Sequence, residues 1–469
     1  MKQKIGFWGL WLCVFFAQVV RAQTDSLMVR QIHIECHNKT KEHIITRELA
    51  LKPGSKVARQ ELDRVLEQEN NKIFNTNLFV STNVYPQEVR PGVIDLIISV
   101  EEQWYLWAVP ILELADRNFN EWWTQRDRSL SRLEYGIRFK QKNFRGRNEN
   151  LLLLLQLGFT RKAVLDYQIP YISRKQRTGL RFKMLFAENT SVAHQTNDHF
   201  LDFVDSSKVM LRRFNFSTTL SKRFNFYASH HFRLSYGNNR IADTVADLNP
   251  DFFLEGRTRQ QYIGISYQFI HDFRDRAPYP LKGHLLQASV TQRGLGFFND
   301  LSLLTLEAYG AKYTPLSERW FLSNGVSVKL SLPERQPYFQ REGLGYGRQF
   351  VRGFDLLVID GQRHFLSRNT VKFQLFSFTK EFKKVPILRK FRQFRRVPVA
   401  AYLKAYSDGG YVYDNDPREV LRPLRNTWLH NFGIGLDFVT YYNFVMRFEY
   451  SFANKPEAGG FFINLQAGI

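Results

Sequence analysis

Phe444-Val445-Met446-Arg447-Phe448-Glu449-Tyr450-Ser451-Phe452 carries a large apolar side chain at every second position, with Arg447, Glu449 and Ser451 between them. Successive side chains of a strand point to opposite faces, so this stretch has one apolar and one polar face. The period recurs upstream. Leu133, Tyr135, Ile137 and Phe139 alternate with Glu134, Gly136, Arg138 and Lys140, and Ile263, Ile265, Tyr267 and Phe269 alternate with Gly264, Ser266 and Gln268. It returns at the end of the chain, where Phe461, Ile463, Leu465, Ala467 and Ile469 interleave with Asn464, Gln466 and Gly468. Each segment is about ten residues long, the span of a tilted strand crossing a bilayer. A soluble β-sandwich also alternates. Against it stand the aromatic character of the apolar face and the charged residues that recur on the other.

Composition points the same way. Aromatic residues make up 15% of the 469 positions, with 42 Phe and 21 Tyr, although the mean hydropathy is only −0.35. No run after the first two dozen residues approaches the ~18 apolar residues of a spanning helix. An outward apolar band with aromatic girdles accounts for both facts. The formal charge of +22 would attract nucleic acid or anionic lipid alike. No zinc-ligand cluster, recognition helix or RNA-binding aromatic signature accompanies it, so nucleic acid is set aside as a partner. No metal or cofactor motif is present.

Residues 1–22 read as a secretory leader: Lys2 and Lys4, the apolar core Ile5 to Val20, and a small-residue site at Val20-Arg21-Ala22. Cys13 lies in that core, which leaves Cys36 alone and no intramolecular disulfide. Residues 28–103 then read as a small α+β unit. Ile32, Ile34 and Cys36 alternate on a strand. A helix near Glu42 to Leu51 stops at Lys52-Pro53-Gly54, and a second, from Ala58 to Phe74, lines up Leu62, Val65, Leu66 and Ile73. Strands follow at Val80 to Tyr85 and Gly92 to Glu101, the latter with Ile94, Leu96, Ile98 and Val100 on one face.

Residues 104–469 read as an all-β transmembrane barrel of about sixteen antiparallel strands. An even number returns both ends to the same side of the membrane. Short breaks such as 143–148 alternate with long ones at 187–207 and 238–257. Asp272-Phe273-Arg274-Asp275-Arg276, with Pro278, Pro280 and Gly283, forms a rigid, charge-laced mid-barrel turn. Segment 380–396, rich in Lys and Arg with Phe interspersed, reads equally as a solvated turn or as a contact with anionic headgroups.

One long connection contains several glycines and no convincing strand. Its centre is Val351-Arg352-Gly353-Phe354. Glycine after a bulky residue and an arginine suits a tight hairpin tip, and a connection this long in a compact protein is functional or disordered. Read alone, the four residues suit a surface loop. Between barrel flanks, the loop around 344–356 is expected to fold back into the lumen.

The whole mature chain resembles the outer-membrane assembly and secretion superfamily, the BamA/TamA-like and two-partner-secretion group also called the bacterial surface antigen family. Residues 28–103 resemble its periplasmic POTRA domain through Leu51-Lys52-Pro53-Gly54, Ile73-Phe74-Asn75-Thr76-Asn77-Leu78-Phe79 and Ser99-Val100-Glu101-Glu102; Asn77 stands where glycine is usual. Asn143-Phe144-Arg145-Gly146-Arg147-Asn148-Glu149-Asn150-Leu151 and Tyr167-Gln168-Ile169-Pro170-Tyr171 resemble its early barrel strands, and Asp272, Arg274, Pro280 and Gly283 its mid-barrel turn. Val351, Arg352, Gly353 and Phe354 match its lumen-inserted loop tip, and Tyr406-Ser407-Asp408-Gly409-Gly410 the wall strand facing it.

The resemblance implies that Arg352 pairs with a carboxylate on the barrel wall, and Asp408 is that partner by position. Parity agrees, since Tyr402, Lys404, Tyr406 and Asp408 share one face while Ala401, Leu403 and Ala405 share the other. The strand Asn369-Thr370-Val371-Lys372-Phe373 lacks the glutamate often found there, and the chain ends on Ile469 rather than an aromatic residue. The implied function is insertion or translocation of client polypeptides with exposed β-strands, without nucleotide or metal. It implies an outer-membrane location, contact with outer-membrane lipid or lipopolysaccharide, and periplasmic or lipoprotein partners. Two rivals stand beside it: a passive channel or surface protein, and a barrel hydrolase with Asp198, His199 and Asp202 as its candidates.

Overall fold

The structure, a computed structural model, describes residues 26–35, 39–114, 122–123, 127–173, 175–347, 349–381, 396–415, 424–440 and 444–466. The leader, Cys36, most of the basic segment 380–396 and Ile469 lie outside the described residues. No described helix is long and apolar enough to cross a membrane, which says nothing of strands.

The N-terminal unit is a four-stranded sheet in the order β2-β1-β4-β3, covered by two helices. Its elements are β1 (Ser26–Glu35), α1 (Glu42–Thr46), β2 (Lys56–Ala58), α2 (Leu62–Phe74), β3 (Phe79–Arg90) and β4 (Val93–Glu102). The expected order holds, with two changes. The first helix is a single turn and a half, and the chain after Pro53-Gly54 adds the short strand β2. Ala58 to Glu61 is extended and then 3₁₀, so α2 starts only at Leu62. Ile94, Leu96, Ile98 and Val100 of β4 are all buried against Leu66 and Ile73 of α2, with Leu62 and Val65 packed at the margin. Asn77 takes φ +56°, the left-handed turn that its place in the motif requires.

Sixteen strands form one antiparallel sheet, from Leu106–Leu114 to Gly460–Gln466. The alternation seen in the sequence decides which way each side chain faces. Tyr135, Ile137, Phe232, Leu234, Ile265, Phe432, Ile434, Phe461, Ile463 and Leu465 are all exposed. Outward exposure of such side chains on nearly every strand makes a lipid-facing belt, since water would not tolerate so large an apolar surface.

The two long breaks carry structure of their own. Residues 187–207 contain a hairpin, Ser191–Asn197 and Phe200–Asp205, and residues 238–257 contain α3 (Asp243–Leu248). With Tyr338 and Phe339, they bury Phe252, Phe253 and Val245 in a cap over the barrel end opposite the small domain.

The small domain is docked on the turns at its own end of the barrel. Lys41 donates its amide to the Gly146 carbonyl at 3.0 Å, and Asn143 Nδ2 donates to Thr40 Oγ1 at 2.8 Å. Arg223 clamps Glu48 in a bidentate pair at 2.7 and 2.5 Å. His43 packs edge-on against Tyr171. Burial, with Lys41, Arg147 and Arg47 nearby, pushes its imidazole below the ordinary value. The unfolded or undocked state therefore binds the proton more readily, and docking should weaken as pH falls from about 6.5. The protection of α1 amides against hydrogen exchange, relative to their intrinsic rates, is expected to be lower at pH 5.5 than at pH 7.5 in the wild type. The difference should vanish in His43→Gln.

Candidate functional site

The connection between the strands Trp320–Leu332 and Arg363–Glu381 folds into the lumen, as its barrel flanks predict. Apolar burial seats the tip. Val351 and Phe354 join Leu344, Leu357, Ile359, Leu366, Val412 and Leu429 in one buried cluster. Gly410 on the wall makes room: a Cβ there would lie 2.4 Å from Val351 Cγ2.

Between these two anchors Arg352 turns to the wall. Its Nε and Nη2 donate to the two oxygens of Asp408 at 2.8 and 2.6 Å, and its backbone amide adds a third contact at 3.2 Å. Nη2 also donates to Thr370 Oγ1 at 3.1 Å, and the guanidinium lies 3.8 Å from the centroid of the Tyr406 ring. The Asp408 side chain is fully buried and that of Arg352 is 12% exposed. At such burial a planar fork matched to a carboxylate is the arrangement in which both charges are satisfied.

A second carboxylate, which the sequence left open, comes from elsewhere on the wall. Glu449, from the strand Phe444–Ala453, stands 3.6 Å from Arg352 Nη1. It supplies the acid that Asn369 to Phe373 lacks, from a different strand. Behind it Lys404 donates to Glu449 at 2.9 Å and also pairs with Asp437, and Asn464 Nδ2 donates to Glu449 at 3.1 Å. The signal was present in the quoted stretch, where Glu449 and Arg447 occupy the face turned away from lipid. Inward Lys404 obeys the predicted parity. Leu403 and Ala405 face outward as expected, whereas Ala401 is buried, next to a register shift at Gln374/Phe376 on the paired strand.

Gly353 has φ +87°, and a Cβ on it would lie 2.8 Å from Ser451 Cβ. Gly353→Ala should therefore cost about 1–3 kcal/mol in backbone strain and displace the tip from the wall. Thermal unfolding in detergent, followed by the loss of the compact electrophoretic form, should show it as a lower midpoint.

The mid-barrel turn lies at the other end of the lumen, against the small domain. Arg274 grips Asp272 at 2.6 and 2.8 Å, and Gly283, at φ +105°, passes close to the Phe273 carbonyl. Pro280 follows Tyr279, whose buried ring packs with Tyr402 and Val445. Asp272, Arg274, Pro280 and Gly283 thus share one turn but do not touch the loop tip. Asp198, His199 and Asp202 sit in the cap. His199 is buried; its Nε2 accepts the Leu424 amide at 3.2 Å, and Nδ1 lies 3.3 Å from the Val358 carbonyl. Asp202 accepts from Gln195 Nε2.

Residues 143–360 match the Omp85 superfamily domain. Two solved structures share the fold along 94% of this chain: BamA from Haemophilus ducreyi lacking POTRA domains 1–3, at 14% identity, 85% of that chain and a TM-score of 0.52, and CdiB from Escherichia coli, at 12% identity, 75% of that chain and a TM-score of 0.54. No curated protein sequence matches significantly. Within an antiparallel sheet of sixteen strands, and with an inward loop carrying Val351-Arg352-Gly353-Phe354, residues 143–360 of this chain are an Omp85 superfamily domain.

Proposed function

We propose that this protein sits in the outer membrane, with residues 28–103 as a POTRA-like periplasmic domain and 104–469 as the barrel. There it inserts client polypeptides into the membrane or translocates them across it. The observation that carries the reading is the seam. The sixteen-stranded sheet runs from Leu106–Leu114 to Gly460–Gln466, and no ladder joins these two strands among the described residues. Unpaired strand edges are costly in lipid and are templates for another strand. A client strand can pair there while the wall opens.

A receiving surface lies below. Strand β3 ends the small sheet, and among the described residues one of its edges has no partner strand. Phe79 to Thr82 line a cleft of about 980 Å³ whose far wall is Pro398, Val399 and Ala400. An extended client segment can add to β3 by β-augmentation. Lipid or lipopolysaccharide meets the outward belt, and periplasmic or lipoprotein partners would meet the small domain. The hydrolase candidates support no such reading, since both ring nitrogens of His199 are engaged with backbone groups.

Depletion in cells tests the function directly. Loss of many barrel proteins from the outer membrane is expected if clients are inserted, and loss of one exported protein if a dedicated partner is secreted. Unchanged proteomes together with a steady, client-independent conductance would replace this reading with a passive channel.

A further inference from the structure

The seat of the small domain and the loop tip are linked by two sets of polar contacts joined through the backbone of one turn, between Ala277 and Tyr279. The first begins at Asn75, which closes α2. Asn75 Nδ2 donates to the carbonyls of Arg274 and Asp275, and Asn75 Oδ1 accepts the Ala277 amide, each at 3.1 Å. One side chain of the small domain therefore satisfies three backbone groups of turn 273–282. Arg276, 5.1 Å over the Phe74 ring, and Lys282, 3.9 Å from Glu67, add contacts to the small domain, and the turn is braced from within by Asp272 on Arg274 and by Asp275 on the Leu281 amide.

That turn carries Tyr279 into the base of the lumen. The ring lies 5.1 Å from that of Tyr402 and 4.1 Å from Lys372 Nζ, and the hydroxyl donates to Asp437 Oδ2 at 2.8 Å. Asp437 Oδ1 takes Lys404, Lys404 reaches Glu449, and Glu449 faces Arg352. We infer that Asn75 and Tyr279 are positioning residues for the Arg352 anchor, so that the docked small domain sets how firmly the loop tip is held.

The physical reason is competition for one cation. With the Tyr279 hydroxyl in place, Asp437 is shared between a neutral donor and Lys404, and Lys404 can also serve Glu449. Without that hydroxyl Asp437 draws Lys404 to itself, because a buried carboxylate short of donors is costly. Glu449 then pulls on Arg352, away from the bidentate seat on Asp408. Withdrawal of Asn75 acts one step earlier, by freeing the turn that presents Tyr279. The inference concerns the resting barrel and holds whichever fate awaits the client.

The test uses the full mature chain in lipid nanodiscs, with Cys36→Ser and a reporter Leu356→Cys on the loop, and follows the rate of labelling by a maleimide. Asn75→Ala and Tyr279→Phe are each expected to raise that rate at least fivefold, with the barrel still showing its heat-sensitive compact form. The double variant should label no faster than the faster single variant. A wild-type rate in Asn75→Ala, or rate increases that multiply in the double variant, would overturn the inference. So would failure of Asn75→Ala to fold, since that would assign the contact to the barrel and not to the loop anchor. Depletion phenotypes do not enter the readout, so this inference and the client reading fail separately.

Discussion

Arg352→Ala is expected to release the loop from the wall and to destabilise the assembled barrel by about 3–5 kcal/mol, the usual result of stranding a buried charge. The cost falls on the carboxylates. Asp408 would lose its two guanidinium contacts, and Glu449 would keep only Lys404 and Asn464. Arg352→Lys should recover little, because an ammonium cannot span both Asp408 oxygens, reach Thr370 and lie flat on Tyr406. Urea unfolding in detergent micelles, followed by tryptophan fluorescence, should place both variants well below the wild type. In cells the same substitutions should lower barrel abundance and the proposed activity. Unchanged assembly and activity in Arg352→Ala would reduce the pair to a packing detail.

The second large effect belongs to Lys404, a residue outside the family motif. Its side chain is 2% exposed and serves both Asp437 and Glu449. Lys404→Met keeps the volume and removes the charge, so two buried carboxylates face each other with one cation fewer. A loss of about 3–5 kcal/mol follows on the same physical ground. Neutralising one of those carboxylates tests the cause. Lys404→Met combined with Asp437→Asn should recover about half of the loss, a non-additivity that separates charge from packing. If the double variant is as unstable as the sum of the singles, the ammonium acts through its aliphatic stem.

The two predictions also show why the site was only half legible beforehand. Arg352 and Asp408 could be paired because each lies in a local motif and on a face set by strand parity. Glu449, Asp437 and Tyr279 belong to no shared motif, and strand parity alone could only turn Glu449 away from lipid. What brings them together is the pairing of Arg396–Tyr413, Leu429–Thr440 and Phe444–Ala453 side by side beneath the loop tip, and a turn that folds inward instead of out into solvent. His199 shows the converse. As one polar residue in an outer loop it resembled a catalytic candidate, and only the cap shows its ring holding the backbone at Val358 and Leu424.

By itself the amino-acid sequence determined that most of the chain would be alternating strands, which face of each meets lipid, and that a small α+β unit precedes them. Those properties depend on neighbours two to four positions apart, and a local period encodes them fully. Tertiary structure alone decided the docking of Asn75 and Glu48 on the barrel turns, and the row of polar and charged groups running from Tyr279 to Arg352. Each joins residues far apart in the chain whose meeting depends on the sum of every strand register and turn between them, a quantity that no single stretch contains.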